Sequence, residues 1–274
     1  MTRIATLLTS TLLAAGLSST AAGQMGGEPG GPPVDIPMNF ISFGVATTSD
    51  YAGSDDYRLL PFGAFRYEWG DVVIQSEGPG LSATIWSNDA ISAGPFVRYY
   101  GGRDDDIEDA IVKLLPEVDG SAVIGGFVRA ELARGLLSPV DRLSVSARAG
   151  LDAAGTIDGL VWSTGLEYGA ALSRTQFAAI SLSASGFSDD YADQHFSIDA
   201  AGALASGLSA FEAEGGVRDI GLTVIFDQAL AQNWSVTLAG GYSRLMGDYA
   251  DSPIVSVRGS EDQFFAGIGL GRRF

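Results

Sequence analysis

His195 is the only histidine in 274 residues, and the chain has no cysteine. It closes the stretch Asp189-Asp190-Tyr191-Ala192-Asp193-Gln194-His195, whose residue types suggest a metal site or a hydrolase. The usual zinc site is built from several Cys and His ligands, so a lone histidine cannot make one. A Ser-His hydrolase would need a serine within hydrogen-bond reach of His195 and a third group to orient the ring. Serine is too common here to single one out. No residue is therefore assigned as catalytic, as a metal ligand or as a cofactor ligand. The acidic clusters are denser: Asp50, Asp55-Asp56, Asp104 to Asp106 with Glu108-Asp109, Asp189-Asp190 with Asp193, and Asp248 with Asp251. None has the twelve-residue spacing of an EF-hand. Divalent cations bridging them to lipopolysaccharide phosphates is one reading of the clusters, and plain solvation is the other.

The segments between these clusters follow a two-residue period. Ile41, Phe43, Val45 and Thr47 alternate with Ser42, Gly44 and Ala46, and Leu143 to Leu151 alternate with Ser144, Ser146, Arg148 and Gly150. Phe264, Ala266, Ile268 and Leu270 share one parity at the end of the chain, with Phe265, Gly267, Gly269 and Gly271 on the other. Such alternation makes strands with one apolar and one polar or small face. The polar parity carries Arg66, Glu68, Arg98, Arg129, Glu131, Arg148, Glu167 and Asp227. Opposite charges on one face and apolar side chains on the other suit a barrel in lipid, because a charge facing lipid costs about 2–4 kcal/mol at the midplane. Trp69, Tyr99, Trp162, Tyr168, Trp234, Tyr242 and Phe274 lie near strand ends on the apolar parity, as an interfacial girdle would. The lone lysine, Lys113, also argues against a soluble sandwich with a watery outer face.

The fold expected is therefore all-β, an antiparallel transmembrane β-barrel of twelve strands. If residues 71–76 and 81–86 form one strand instead of two, ten strands become the alternative. Long loops are expected at 50–58, 101–120, 152–158, 188–208 and 247–261 on the outer side, with short turns and both chain ends in the periplasm. Residues 209–229 read as one strand with a bulge near Asp219. Asp106 to Pro116 reads as a short amphipathic helix in a loop, with acids in its first turn and proline at its end.

Met1-Thr2-Arg3, the apolar run Ile4 to Leu17 and the small residues up to Gly23 have the layout of a secretory signal peptide. Its apolar run is too short to span about 30 Å of hydrocarbon. The expected organisation is a signal peptide at 1–23, a Gly/Pro-rich lead-in at 24–38 and the barrel at 39–274. The net charge of −17 makes a poor partner for nucleic acid. Without disulfides, a closed hydrogen-bond ladder must hold the chain together.

The terminal Phe274 resembles the ending of bacterial outer-membrane barrels, where that residue serves the barrel assembly machinery. Longer stretches resemble the MltA-interacting protein (MipA/OmpV) family of outer-membrane proteins. They are Tyr51-Ala-Gly53-Ser54-Asp-Asp56-Tyr57-Arg58; Gly94 to Asp104, which contains Arg98; Ser206 to Phe211; Gly216 to Leu222, which contains Arg218 and Asp219; and Trp234 to Phe274. Within the last stretch the resemblance rests on Tyr242 to Asp248 with Arg244 and Gly247, Ala250 to Val255 with Ser252 and Pro253, and Arg258-Gly259-Ser260. The resemblance implies a non-enzymatic barrel in the Gram-negative outer membrane, set among lipid and lipopolysaccharide. It would act as a scaffold that links a lytic transglycosylase to a murein synthase, and it brings no catalytic residues with it. A small channel, an adhesin-type role and, last, a barrel lipid hydrolase built on His195 are the alternatives.

Overall fold

The computed structural model describes residues 39–153, 159–231 and 233–274. The expected signal peptide and lead-in lie outside the described residues.

The strands run β1 (Phe40–Ser49), β2 (Tyr57–Trp69), β3 (Val72–Ser76), β4 (Gly80–Thr84), β5 (Trp86–Ser87), β6 (Ile91–Tyr100), β7 (Ser121–Arg134), β8 (Arg142–Asp152), β9 (Leu160–Ala171), β10 (Gln176–Phe187), β11 (Gly216–Ala229), β12 (Trp234–Leu245) and β13 (Asp262–Arg273). Neighbours pair antiparallel in sequence order, and β1 pairs with β13, for example Phe43 opposite Leu270. The pieces β4 and β5 both lie against β6 and together occupy one position in the wall. The sheet is thus a closed barrel of twelve strands, and the ten-strand alternative is excluded because β3 and β4 pair as separate strands around residues 77–79. Closure leaves neither end of the chain as an open edge.

The alternation holds. Phe43 is 65% exposed and Ile268 50% exposed, whereas Ser42 and Ser235 point inward and are 4% exposed. An apolar side chain exposed in this way faces lipid, which replaces a conventional core. The aromatics fall into two belts: Trp69, Trp86, Tyr168, Trp234 and Phe274 at the short-turn end, and Tyr57, Tyr99, Trp162, Tyr242 and Phe264 at the long-loop end. Their spacing along the strands puts them at the two lipid–water interfaces.

Two sequence expectations are corrected. Residues 106–116 do not form a helix. Only a 3-10 turn forms, at Val112–Leu114. The Asp109 carboxylate accepts the N–H groups of Ile111 and Val112, both at 2.8 Å, and Asp104 accepts that of Asp106 at 3.1 Å. Aspartates that bond nearby backbone compete with helix in this way. Strand β11 begins at Gly216 instead of 209, because Phe211 pairs with Ile198 inside the loop. The bulge near Asp219 is present, as a register shift opposite Ser185 and Gly186. The loop at 188–208 holds two helices that alternation alone did not reveal, α1 (Asp189–Phe196) and α2 (Ala200–Ser206). Two single-turn helices, α3 (Asp248–Asp251) and α4 (Pro253–Ser256), sit in the last loop.

Candidate functional site: an outer cap above a charged lumen

The loops at one end carry the hydrophobic core that the barrel wall lacks. Tyr51, Ile107, Val112, Leu115, Ile198 and Ile254 form one buried cluster, drawn from four different loops. A second cluster brings Tyr191, Phe196, Tyr249 and Val255 down onto Phe187, Phe96 and Val123 at the strand ends. Phe196 and Tyr249 meet edge to face at 5.0 Å, and Tyr100 meets Phe187 at 5.6 Å. Edge-to-face pairs of this kind add to the burial itself. The outer mouth is therefore packed shut.

Polar side chains tie the loops to one another. Arg258 donates to Asp109 at 2.6 and 3.0 Å, joining the last loop to the loop between β6 and β7. Burial pushes the Asp109 carboxyl up, but Arg258 and the N–H groups of Val112 and Ile111 hold it below its usual range. Asp50 accepts the Glu108 N–H at 2.6 Å and meets Arg58 at 3.4 Å. Arg103 donates to the carbonyls of His195 and Pro116 at 3.1 and 3.2 Å, and Ser252 donates to that of Phe196 at 2.6 Å. Five acids of the expected clusters, Asp50, Asp104, Asp109, Asp189 and Asp248, accept backbone N–H groups. Among the described residues no three of His, Asp and Glu gather as metal ligands.

Most of the motif residues meet in this cap. Tyr51 is buried and reaches the Ile254 carbonyl at 3.5 Å. Ser54 is fully buried and its hydroxyl accepts the Asp56 N–H at 3.1 Å. Gly53 sits at φ +95°, and its carbonyl accepts the Ser260 N–H at 2.8 Å, directly beside Gly259. Gly247 turns the chain at φ +55°, Asp248 accepts the Glu214 N–H at 2.9 Å, and Pro253 opens α4. The Tyr57 hydroxyl accepts the Phe264 N–H at 3.2 Å. Arg244 pairs with Asp262 and Glu261 at the rim, where exposure leaves such pairs worth little. Arg218 pairs with Asp219 under the cap, with its guanidinium 4.7 Å over the Phe187 ring. Arg98 lines the lumen cavity beside Arg218, and Phe274 stands apart at the short-turn end, its N–H on the Asn39 carbonyl.

His195 belongs to the cap's packing. Its ring stacks on Tyr191 at 4.4 Å, and Nδ1 lies 3.1 Å from the Tyr191 carbonyl. Its Nε2 is buried without a hydrogen-bond partner, so no serine hydroxyl addresses it and the triad a hydrolase would need is not assembled. Burial, helped by Arg103 and Arg218, pushes the imidazole down to about 4, against the backbone hydrogen bond to Tyr191. The folded cap therefore refuses a proton that the unfolded loop accepts below about pH 6.5. Cap stability should fall between about pH 6.5 and 4, by about 3 kcal/mol in all. The protection factor for hydrogen exchange across 189–206, taken relative to the intrinsic exchange rate at each pH, should fall from pH 7 to pH 5 in the parent and not in His195→Phe. Equal protection at both pH values would refute this account.

Beneath the cap lies a cavity of about 500 Å³ lined by Glu77, Arg98, Arg129, Arg148, Arg218 and wall serines. It adjoins a second cavity of about 190 Å³ that reaches the short turn at Asn88-Asp89, and the two share Gln75, Arg129 and Ser144. Glu77, at the tip of the short β3–β4 hairpin, was not anticipated as a lumen group. It meets Arg148 at 2.7 Å and Arg129 at 3.9 Å, and accepts from Gln75 at 2.9 Å. Below it, Glu131 pairs with Arg134 and Arg142, Arg66 with Glu68, and Asp227 with Arg273. At the short-turn end the Asp141 carboxylate accepts N–H groups of Leu136, Leu137 and Ser138 and the Tyr168 hydroxyl, all at 2.6–2.7 Å. Burial opposes ionisation there, but these donors win and bring the carboxyl down to about 2.

Solved structures similar to this chain include an outer-membrane channel from Pseudomonas putida F1 (TM-score 0.45, 12% identity, covering 90% of this chain and 100% of that one). OmpT of Vibrio cholerae aligns with TM-score 0.38 and 12% identity, over 88% of this chain and 78% of that one. OprB of Pseudomonas putida aligns with TM-score 0.39 and 10% identity over 77% of this chain, which spans 58% of OprB. No curated protein matches the sequence. The family model of the MltA-interacting protein MipA matches residues 41–274, nearly all of the described barrel and its cap. The chain thus belongs to the MipA family and is a twelve-stranded barrel of the Gram-negative outer membrane.

Proposed function

We propose that the protein is a non-enzymatic anchor that holds murein-remodelling enzymes, a lytic transglycosylase and a murein synthase, at the periplasmic end of a barrel closed to the outside. The observation that carries this reading is the turn at residues 135–141. It is the longest connection on the periplasmic side, and the Asp141 carboxylate ties its backbone down at three N–H groups. The turn nevertheless leaves Leu136 53% and Leu137 85% exposed. A rigid, apolar tip loses little freedom on docking, which is what an anchoring surface needs. The packed cap argues against the channel reading, since solute crossing the barrel would have to unfold it. The family's name points to the same class of partner.

Affinity-tagged protein should co-purify a lytic transglycosylase from detergent-solubilised outer membranes. Replacing Leu136 and Leu137 with serine should reduce recovery about tenfold or more, a loss typical of a central apolar anchor. The folded barrel in planar bilayers should show no single-channel steps. Undiminished capture by the serine variant, or steady conductance by the parent, would overturn the reading.

A further inference from the structure

We propose that the lumen is a binding site for a small, hydroxyl-rich anion, a sugar carrying one carboxylate or phosphate, admitted from the periplasmic end. The inference does not depend on the anchoring role, because it concerns the inside of the barrel and not its turns.

The charge balance inside runs against that of the chain. The protein as a whole carries −17. Yet the two adjoining cavities are lined by seven arginines and only five carboxylates. Two of these carboxylates are shared between cations: Glu77 serves both Arg129 and Arg148, and Glu131 serves both Arg134 and Arg142. Arg98 has no carboxylate within ion-pair distance among the described residues. Its guanidinium rests 5.6 Å over the Tyr100 ring, and its Nε is buried without a hydrogen-bond partner. An arginine left in that state inside a low-dielectric wall is a costly feature unless an anion completes it.

The surroundings of Arg98 say what kind of anion. Ser181, Ser183 and Thr223 on β10 and β11 line the same cavity, as does Ser146 on β8. Hydroxyls both donate and accept, which matches the mixed needs of a sugar's own hydroxyls. Phe265 offers an apolar surface in the same lining. The space, about 500 Å³, lies in the size range of ordinary small-ligand pockets, about 300–1,000 Å³. Arg98 is well placed for the anionic group and the serine wall for the ring.

The route is set by the fold. The cap closes the outer side, so entry is by the lower cavity, where Arg134 and Arg142 stand near the short turn at Asn88-Asp89. Arg129, shared by both cavities, continues this line of arginines toward Arg98. Such a line raises the local concentration of an anion and fades with salt.

The test is calorimetric titration of the folded, detergent-solubilised protein with D-glucuronate, glucose 6-phosphate, glucose and inorganic phosphate. At least one of the two anionic sugars should bind about tenfold or more tighter than glucose and than inorganic phosphate. Whichever of the two binds better names the anionic group. Arg98→Gln should weaken that sugar about tenfold or more, as loss of a charge-assisted contact does, and Arg98→Lys should restore part of it. The heat-modified gel shift of both variants reports whether the barrel still folds. Glucose binding as tightly as both anionic sugars, phosphate binding as tightly as either, no binding of any probe, or full affinity in a folded Arg98→Gln barrel would each overturn the proposal. Ser181→Ala with Ser183→Ala supplies a second reading should Arg98→Gln fail to fold, and unchanged affinity there would overturn it too.

Discussion

Replacing Gly259 with alanine is expected to lift the outer cap off the barrel. A Cβ at this position would stand 1.9 Å from the Gly53 carbonyl oxygen and 3.3 Å from that of Ile254. Both are backbone atoms, so no side-chain rotation relieves the clash. Gly53 is itself tightly held, since its φ of +95° suits glycine and Val255 stands 2.4 Å from where a Cβ would be. The first and last loops must therefore part, and with them goes the shared burial of Tyr51 against Ile254. Overpacking of this kind costs about 1–3 kcal/mol, which is large for an interface made only of loops. Limited proteolysis should cut the variant within residues 246–261 under conditions that leave the parent intact. Because the cap stoppers the lumen, the same variant should show flickering conductance that the parent lacks. A variant as resistant and as silent as the parent would mean that the two loops do not seal the mouth.

The second large effect is expected at Glu77. Its side chain is about one-tenth exposed and pairs with both Arg129 and Arg148. Glu77→Gln keeps the shape and the contact with Gln75 but strands two guanidinium groups in the barrel. Removing one side of a buried ion pair costs about 3–5 kcal/mol. The variant should unfold at a clearly lower temperature in the gel-shift assay, and its midpoint should recover in part when Arg148 is changed to glutamine as well, since Arg129 stays unpaired from residue 77. That recovery separates stranded charge from simple loss of packing. If the single and double variants melt alike, the ion pair does not bear on barrel stability.

The wall was legible because lipid enforces a simple rule. Every strand must satisfy its backbone within the sheet and must show lipid one parity of side chains. Phe43, Ile268 and Leu182 lie where alternation puts them, outward, and Ser42, Arg66 and Ser144 lie inward. Even the bulge beside Asp219 was visible as a slip of parity. The helices of the loop after β10 were also written locally, although the strand rhythm masked them. Asp199 caps α2 by accepting the Gly202 N–H at 2.7 Å, and Gly207 ends the helix at φ +75°. An Asp-to-Gly frame of that length is an ordinary cap signal. Residues 106–116 misled for the opposite reason. Their acids looked like a helix start, but Asp109 spends its carboxylate on nearby N–H groups and on Arg258, 149 positions away.

The amino-acid sequence by itself determined the barrel: its twelve strands, which side of each faces lipid, which connections are long, and that opposite charges sit inside. Those features follow from period, parity and turn composition, which are local. Only the tertiary structure decided what the motif residues do. Gly53 meets Gly259, Arg258 meets Asp109, Tyr51 meets Ile254, and Glu77 meets Arg129 and Arg148, each across dozens to hundreds of positions. The tertiary structure alone also showed that Arg98 is left without a carboxylate among the described residues. Period and parity specify which face a residue occupies but not which strand or loop stands opposite it. Pairing across the lumen and packing across the cap depend on closure of the whole sheet, and closure is a property of no single segment.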